Sequence, residues 1–373
     1  MDIVFRSPGV YFQRGGALRD IGSYVERLGD AALIVASPSA WERYKDTVMN
    51  SMADTGCECS VSFFRGKTTE AAIAAVIDDF EANNCGVIVG LGGGNTIDTA
   101  RAAADLKASP LIVVPTAASN DSPCSALAVI HGDDGAVTEL RKTRRNPDVV
   151  LVDTDVILEA PKRLLTAGMG DALATWFEAS ACKASGIITL AGGKTSELAL
   201  QMARSCYDTL IRYGRQALHA VESGFTTDDF EKVVYACIYL SGFGFESGGV
   251  AAAHAINDGF SPCPEARHLY HGELVGFGTL SMLMLESSYS GDSDAVLDFM
   301  IDVGLPVTFE QLGIEPEDSL LMRVANTACK ESVMKNMPFE VTPADVIRAM
   351  LKADVVGKAR LEERGLINGD KKD

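Results

Sequence analysis

Three of the five histidines in this 373-residue chain lie in one stretch, residues 241–276, and histidines this concentrated suggest a metal site. They are His254, His268 and His271, and the residues around them are mainly glycine, alanine and apolar side chains. The small residues at 248–256 predict a closely packed helix that carries His254, and His271 begins a second apolar helix. Imidazoles from neighbouring helices can bind one divalent ion. The alternative is that each is a hydrogen-bonded histidine of the core.

The composition is that of a well-packed globular protein with a large excess of acidic residues. Hydrophobic residues make up 47% of the chain and charged residues 23%, and the formal net charge is −18. This balance argues against nucleic acid and anionic membranes as partners, because both require clustered positive charge. The length exceeds that of one ordinary core, so two domains are expected.

Nine cysteines, most of them within apolar runs, are interpreted as reduced core thiols. No segment approaches the ~18 apolar residues of a membrane-spanning helix. Residues 1–16 carry charges where a signal peptide would need an apolar core. We therefore expect a soluble protein of the cytoplasm.

The pattern of apolar residues changes near residue 160. Before it, short apolar strands alternate with amphipathic helices, which is typical of a parallel sheet covered on both faces. We therefore predict an α/β nucleotide-binding domain at residues 1–160 and an all-helical domain at residues 161–373. Strands are predicted at 3–5, 10–12, 31–36, 59–64, 86–91, 111–114, 126–130 and 149–152, and helices at 17–28, 39–52, 70–83, 96–106, 164–183, 195–213 and 228–241, with a polar excursion at 131–147.

A run of glycines follows the strand at residues 86–91 and precedes a helix. Gly92, Gly93 and Gly94 let the backbone approach a ligand, and free amides at a helix start suit a pyrophosphate. The spaced G-x-G-x-x-G pattern is missing, so a plain tight turn is the alternative. A second polar loop, residues 116–121, follows the next strand, and ligands of open α/β sheets bind at such strand ends. The two loops predict a nucleotide crevice, unless their polar residues only form turns and a helix cap.

Five segments spread over most of the chain match one family in their order and their residues. They are GGGNTIDTAR, VPTAASNDSPCSALAV, GMGDALATWFEA, GFGFESGGVAAAHAI and HGELVGFG. Together they resemble the zinc-dependent glycerol dehydrogenases of the iron-containing alcohol dehydrogenase superfamily, whose fold is shared with dehydroquinate synthase. The resemblance implies an α/β dinucleotide-binding domain followed by an all-helical metal- and substrate-binding domain.

The resemblance implies that Asp171, His254 and His271 bind the metal ion. One carboxylate oxygen and two imidazole nitrogens can hold a divalent ion and leave positions open for water or substrate. The iron-dependent branch usually carries a further histidine four residues after the aspartate, where this chain has Thr175. This difference favours zinc (Zn2+). His268 matches no ligand position.

The resemblance also implies NAD as the cofactor and a substrate pocket beside it. Asp121 and Phe245 would line the pocket and act in catalysis together with His254. The implied cofactor-binding residues are Ser37, Gly92, Gly93, Gly94, Asn95, Asp98, Thr116, Ser119, Ser125, Leu127 and His131.

Several positions depart from the family pattern. Glycerol dehydrogenases usually have an aspartate in place of Ser37, and such a carboxylate accepts the ribose 2′-hydroxyl and repels a 2′-phosphate, so NADP use stays open. Asn95 and Arg101 stand where lysines are common, which changes the charge near the phosphates. His131 replaces a tyrosine near the cofactor, and Asn257 a histidine after the metal helix, so substrate preference also stays open.

The activity that the resemblance implies is reversible oxidation of glycerol, or a related vicinal diol, to dihydroxyacetone. A different polyol or 1,2-propanediol dehydrogenase, using NADP, is an alternative. A lyase similar to dehydroquinate synthase is disfavoured, because the candidate site of the helical half has only Arg267 and few other cations nearby for a phosphorylated substrate. A non-catalytic nucleotide-binding protein with a structural metal would need a fourth ligand, for which Cys263 is a candidate. The family assembles into large homo-oligomers, with an octamer as the candidate subunit count.

Overall fold

The computed structural model describes residues 2–285 and 291–367, and its N-terminal half is built on a parallel sheet. The strands are β1 (Val10–Arg14), β2 (Ala31–Ala36), β3 (Glu58–Phe63), β4 (Val87–Gly92), β5 (Leu111–Pro115), β6 (Leu127–His131), β7 (Val137–Lys142) and β8 (Val149–Asp153). Six of them form one sheet in the order β1-β8-β5-β4-β2-β3, with every neighbouring pair parallel. The remaining two, β6 and β7, form an antiparallel hairpin.

Helices cover the sheet on both faces, which explains why β4, β5 and β8 are buried along their whole length. Successive side chains of a strand point to opposite faces. In β2, Leu33 and Val35 accordingly join one apolar cluster, and Ala32 and Ile34 join the other. The helices of this half are α1 (Ile21–Glu26), α2 (Pro38–Thr55), α3 (Glu70–Ala82) and α4 (Gly94–Lys107).

The C-terminal half is helical in the part of the chain that the structure describes. The helices that follow β8 are α5 (Thr154–Leu158), which packs on the sheet, and then α6 (Lys162–Ser185), α7 (Glu197–Ser223), α8 (Asp228–Tyr235), α9 (Ser241–Gly248), α10 (Ala252–Phe260), α11 (His271–Leu285), α12 (Gly291–Val303), α13 (Phe309–Leu312), α14 (Asp318–Ala328) and α15 (Pro343–Glu363). Over the residues searched, none of these helices combines the length and apolar character that crossing a bilayer requires.

The predicted fold class, a parallel α/β half followed by a helical half, is confirmed. The change of pattern falls between β8 and α6, and the exact domain bounds of 1–160 and 161–373 stay a prediction. Two local predictions are wrong. Residues 3–5 form no strand, because this segment packs on the helical half, where Phe5 stacks on Phe243 at 5.7 Å. The polar excursion at 131–147 contains β7, whose residues are largely exposed and therefore lack the apolar pattern that predicts a strand.

Two predicted helices are interrupted. The helix predicted at 17–28 divides into a 3-10 turn (Ala17–Asp20) and α1. The helix predicted at 228–241 consists of α8, a π-helical turn (Ala236–Leu240) and the start of α9. A π-helical turn inserts an extra residue into the helix, and such turns are frequent at functional sites. This one directly precedes Ser241, which belongs to the candidate site.

Candidate active site

The two helices α6 and α11, which carry predicted metal ligands, pack backbone against backbone. A Cβ atom on Gly170 of α6 would lie 2.2 Å from the carbonyl oxygen of Gly272 in α11. A Cβ atom on Gly272 would lie 1.8 Å from the carbonyl oxygen of Ala167. Only glycine permits such an approach. The contact fixes Asp171, next to Gly170, relative to His271, next to Gly272.

Asp171, His254 and His271 form one compact group, with their ligand atoms all within 4.8 Å of one another. His254 Nε2 lies 3.4 Å and His271 Nε2 lies 3.3 Å from Asp171 Oδ1. The Asp171 side chain is fully buried, whereas 42% of the His271 side chain is exposed. The structure therefore brings the three predicted ligands together and leaves the group accessible to solvent on the side of His271.

The geometry around Asp171 fits a divalent cation. Its Oδ1 atom is buried and has no hydrogen-bond partner among the described residues. Both imidazole nitrogens lie beyond roughly 3.2 Å, the usual limit for an N–H···O hydrogen bond. Burial alone would raise the pKa of Asp171, but the charge of His271 and the closeness of both imidazoles outweigh burial and hold this pKa well below its usual range. An ionised, buried and unpaired oxygen between two imidazoles has the chemistry to bind a divalent cation.

Glu178 orients His254 through Nδ1, the ring nitrogen on the side away from Asp171. The sequence alone did not predict this role. This fully buried carboxylate lies 2.6 Å from His254 Nδ1. It also accepts hydrogen bonds from the backbone N–H groups of Ala251 and His254, at 2.8 and 2.9 Å. Holding Nδ1 as the protonated nitrogen leaves Nε2 free to bind a metal ion. The available signal was spacing, because Glu178 follows Asp171 by seven residues, two turns along α6.

A buried chain of polar groups connects Asp121 to the metal group. The Asp121 backbone N–H donates to Asp171 Oδ2 at 3.2 Å, and Ser241 Oγ donates to Asp121 Oδ2 at 2.7 Å. Thr175 Oγ1 lies 2.8 Å from Ser241 Oγ. Burial, and then the negative charge of Asp171, raise the pKa of Asp121 to about 8. Thr175, at the position of the further histidine of the iron-dependent branch, therefore supports Asp121 through Ser241.

The other predicted residues of the helical half have clear positions. Phe245 is buried on α9, four residues after Ser241 and thus on the same face of that helix. The Asn257 side chain is buried and donates to Asp258 Oδ1 at 3.0 Å. His268 Nε2 lies 3.0 Å from the carbonyl oxygen of Leu312, and His268 is not part of the metal group.

A cleft of about 540 Å³ opens where the glycine turn passes from β4 into α4. Gly93 caps α4 at its amino end, and a Cβ atom on Gly93 would meet no atom within 4 Å, so the backbone faces open space. A Cβ atom on Gly92 would lie 2.7 Å from Thr96 Oγ1, so glycine is required there for helix packing. The cleft is lined by Ser37, Pro38, Ser39, Phe64, Arg65, Gly66, Gly93, Gly94, Asn95 and Thr96.

Asp98 lies outside this lining, because Arg101 binds it inside the protein. Arg101 is only 1% exposed and donates through Nη1 to Asp98 Oδ1 at 2.5 Å. It also donates to the carbonyl oxygens of Ser122 and Leu127, at 2.5 and 2.7 Å. Asp98 Oδ2 accepts from the Val129 backbone N–H at 3.1 Å. Arg101 was expected to change the charge beside the phosphates, but the structure shows it joining α4 to the loop that leads from Asp121 to β6.

The residues predicted for the nicotinamide side follow β5 and continue into β6. Thr116 donates its backbone N–H to the carbonyl oxygen of Gly92 at 3.1 Å, so this loop lies beside the glycine turn. Ser125 is buried and donates from Oγ to the carbonyl oxygen of Ser122 at 3.0 Å. The remaining three are half-buried: Ser119, Leu127 and His131. Their contacts with a cofactor stay a prediction.

A parallel sheet with a glycine turn, joined to a helical half that holds an aspartate–histidine–histidine group, defines a class of dehydrogenases. The family model described as iron-containing alcohol dehydrogenase matches residues 8–154. The chain belongs to the iron-containing alcohol dehydrogenase family and is an oxidoreductase of that family.

Within this family the chain is similar to glycerol dehydrogenases, which confirms the resemblance stated from the sequence motifs. Glycerol dehydrogenase of Escherichia coli O6:H1 is 43% identical over 97% of this chain and 100% of its own length. Glycolaldehyde reductase of Halobacterium salinarum is 38% identical over 98% of this chain and 100% of its own length. The crystal structure of glycerol dehydrogenase from Schizosaccharomyces pombe superposes with a TM-score of 0.93, at 33% identity, covering 98% of this chain and 94% of that one.

Proposed function

We propose that this protein reversibly oxidises glycerol to dihydroxyacetone, with NAD as the hydride acceptor and a zinc ion in the Asp171, His254 and His271 group. The observation that carries the proposal is the buried, unpaired Asp171 Oδ1 between two imidazoles, in a chain 43% identical to a glycerol dehydrogenase. A closed structural zinc site would have four protein ligands, whereas three leave a position for a substrate hydroxyl. Cys263 is buried, its Sγ faces the carbonyl oxygen of Gly259 at 3.7 Å, and it is not part of the group.

The donor set supports zinc over iron. Thr175 stands where a further histidine ligand would be, and its hydroxyl is held 2.8 Å from Ser241 Oγ. Three ligands of nitrogen and oxygen type are the usual arrangement of a catalytic zinc ion. NAD is supported by the cleft at the glycine turn, because the first amides of α4 face open space there and suit a pyrophosphate.

Each residue of the site has a task that its position supports. A metal ion held by Asp171, His254 and His271 would lower the pKa of the reacting hydroxyl, and a bound nicotinamide would accept the hydride from C2, so that glycerol and NAD+ would give dihydroxyacetone, NADH and one proton. Glu178 fixes the orientation of His254. Asp121 orients a substrate hydroxyl, and its own position is fixed by Ser241. Phe245, on the same face of α9 as Ser241, supplies an apolar wall.

A homo-oligomer in the cytoplasm completes the proposal. The family resemblance supports assembly. Light scattering on the purified protein would give the subunit count. A monomer at working concentration would contradict this part of the proposal.

The decisive experiment combines metal analysis with a substrate matrix. Glycerol, 1,2-propanediol, dihydroxyacetone and methylglyoxal would each be assayed with the matching nicotinamide cofactor. We expect the highest kcat/KM with glycerol and dihydroxyacetone, one zinc ion per chain, and joint loss of zinc and turnover in His254→Ala and His271→Ala. Normal turnover in His254→Ala would overturn the metal assignment, and a preference for another substrate pair would overturn the glycerol assignment.

A further inference from the structure

We propose that the cleft beside the glycine turn also accepts a 2′-phosphorylated adenosine ribose, with Arg65 contacting the phosphate. The same site would then bind either NAD(H) or NADP(H). The inference rests on the proposed dinucleotide function and concerns the adenosine end of the same cleft. It makes Arg65 and Ser37 the residues that determine cofactor specificity in this chain.

The position of the adenosine ribose follows from the order of the strands. In the sheet, β2 lies between β4 and β3, and all three run parallel, so their carboxyl ends meet at one edge. The cleft is lined by the loop after each of them, namely 93–96 after β4, 37–39 after β2 and 64–66 after β3. A pyrophosphate at the start of α4 directs the adjoining ribose toward the end of β2. The ribose therefore faces Ser37, and the loop after β3 lies just beyond.

The lining of the cleft lacks the group that makes such a site specific for NAD. A carboxylate at the end of the second strand accepts the 2′-hydroxyl of NAD and repels a 2′-phosphate. Here Ser37 occupies that place, and no carboxylate lines the cleft among the residues that the structure describes. The Ser37 hydroxyl accepts a hydrogen bond from the Ala40 backbone N–H at 3.2 Å and lies 3.1 Å from Ser39 Oγ. Two uncharged hydroxyls thus occupy the position that decides between the two cofactors.

Arg65 supplies the positive charge that a phosphate requires. It follows β3, is exposed, and lines the cleft opposite the glycine turn. Within the described ranges it forms no ion pair with an acidic side chain, although the chain as a whole carries a net charge of −18. Lys67 follows two residues later in the same loop and is also exposed. A planar guanidinium suits bidentate binding of a phosphate.

Direct binding measurements test the proposal without relying on turnover. Titration calorimetry on the intact protein would give Kd values for NAD+ and NADP+, and for the probes 5′-AMP and adenosine 2′,5′-bisphosphate. We expect NADP+ to bind no more than tenfold more weakly than NAD+, and the bisphosphate to bind more tightly than 5′-AMP. An NADP+ Kd more than tenfold above that of NAD+, or a bisphosphate no tighter than 5′-AMP, would overturn the proposal.

Variants at two positions test the assigned residues. Arg65→Gln should raise the Kd for NADP+ by about tenfold or more and leave that for NAD+ within about twofold, because only the charged contact to the 2′-phosphate is lost. Arg27→Gln is the matched control, since this exposed arginine precedes β2 and so lies at the opposite edge of the sheet. Equal effects of Arg65→Gln on both cofactors, or no effect, would refute the contact.

Ser37→Asp tests the same site in the opposite direction. Aspartate caps a helix as well as serine does, so α2 should keep its amino end and the protein its fold. The substitution should strengthen NAD+ binding and weaken NADP+ binding by at least tenfold, and unchanged NADP+ binding would refute the assignment of Ser37. If neither dinucleotide binds the wild-type protein, the proposed function itself fails, whereas tight NAD+ binding with weak NADP+ binding refutes only this inference.

Discussion

Replacing Glu178 with glutamine tests whether the support behind a metal ligand matters as much as the ligand. The wild-type carboxylate is fully buried and receives three contacts, from His254 Nδ1 and from two backbone N–H groups. An amide of the same shape keeps one acceptor oxygen, and its NH2 group must then face at least one of these donors. The negative charge that makes His254 a stronger ligand is also lost.

The size of the effect follows from that loss. Removing the hydrogen-bonded support of a metal-binding histidine typically costs 10- to 100-fold in metal affinity, which corresponds to about 1.4–2.8 kcal/mol. Chelator competition on metal-free and reconstituted protein would measure the zinc affinity, and the kcat at saturating zinc would show whether the site recovers when it is filled. We expect weaker zinc binding by this factor and a partial recovery of kcat.

Glu246→Gln provides a matched control for the loss of a buried carboxylate. Glu246 also accepts a backbone hydrogen bond, from Ala126 at 3.1 Å, and a side-chain hydrogen bond, from Asn146 at 2.5 Å, but it contacts no predicted metal ligand. The substitution Glu246→Gln should lower the thermal stability of the protein without changing its affinity for zinc. Zinc affinity in Glu178→Gln within twofold of wild type, or an equal loss in Glu246→Gln, would refute the reasoning.

Two further predictions concern the buried Arg101 and the half-buried Cys59, which are not part of the candidate metal group. Arg101→Gln should lower the free energy of unfolding by about 3–5 kcal/mol, since it leaves Asp98 charged and buried without its partner, and Arg101→Lys should recover part of this loss. Denaturant titration would measure both variants. A loss under about 1 kcal/mol in Arg101→Gln would be inconsistent with the buried pair. Burial, and then the nearby Cys85 thiol, raise the pKa of Cys59 to about 11. The rate of its alkylation by iodoacetamide should therefore be low at pH 8 and should rise about tenfold per pH unit up to about pH 9.5. Peptide mapping would follow this rate, and a plateau by about pH 9 would contradict the raised pKa.

The sequence predicted most elements because apolar periodicity reflects burial directly. The strands β2, β4, β5 and β8 are apolar, apart from Asp153 at the end of β8, and lie in the sheet interior; the sequence predicts all four to within one or two residues. The strand β7 was missed, since its residues, VTELRK, are largely exposed on both faces of the hairpin and form no buried apolar side. The strand predicted at 3–5 was wrong because its apolar side chains pack on helices instead of a neighbouring strand.

The candidate metal group was predicted through residue types and a family pattern, whereas its surroundings depend on distances that no local pattern contains. Glu178 and Ser241 act through contacts with residues 76 and 120 positions away. Arg65 lies in a loop with no motif, and only the strand order places it beside Ser37. Arg101 differs again, because its sequence position predicts a charge near the phosphates, whereas its buried guanidinium is turned toward the protein interior.

The contact between Gly170 and Gly272 has a consequence for which ions the site can hold. Because neither glycine has a Cβ atom, a carbonyl oxygen of the opposite helix lies about an ångström closer to each glycine than a Cβ atom would permit. A side chain at either position would separate α6 from α11, and Asp171 would move away from His271 with its helix. In the proposed metal site, the ionic radius that fits would therefore depend on the backbone separation of α6 and α11, and an alanine at Gly170 or Gly272 would change it.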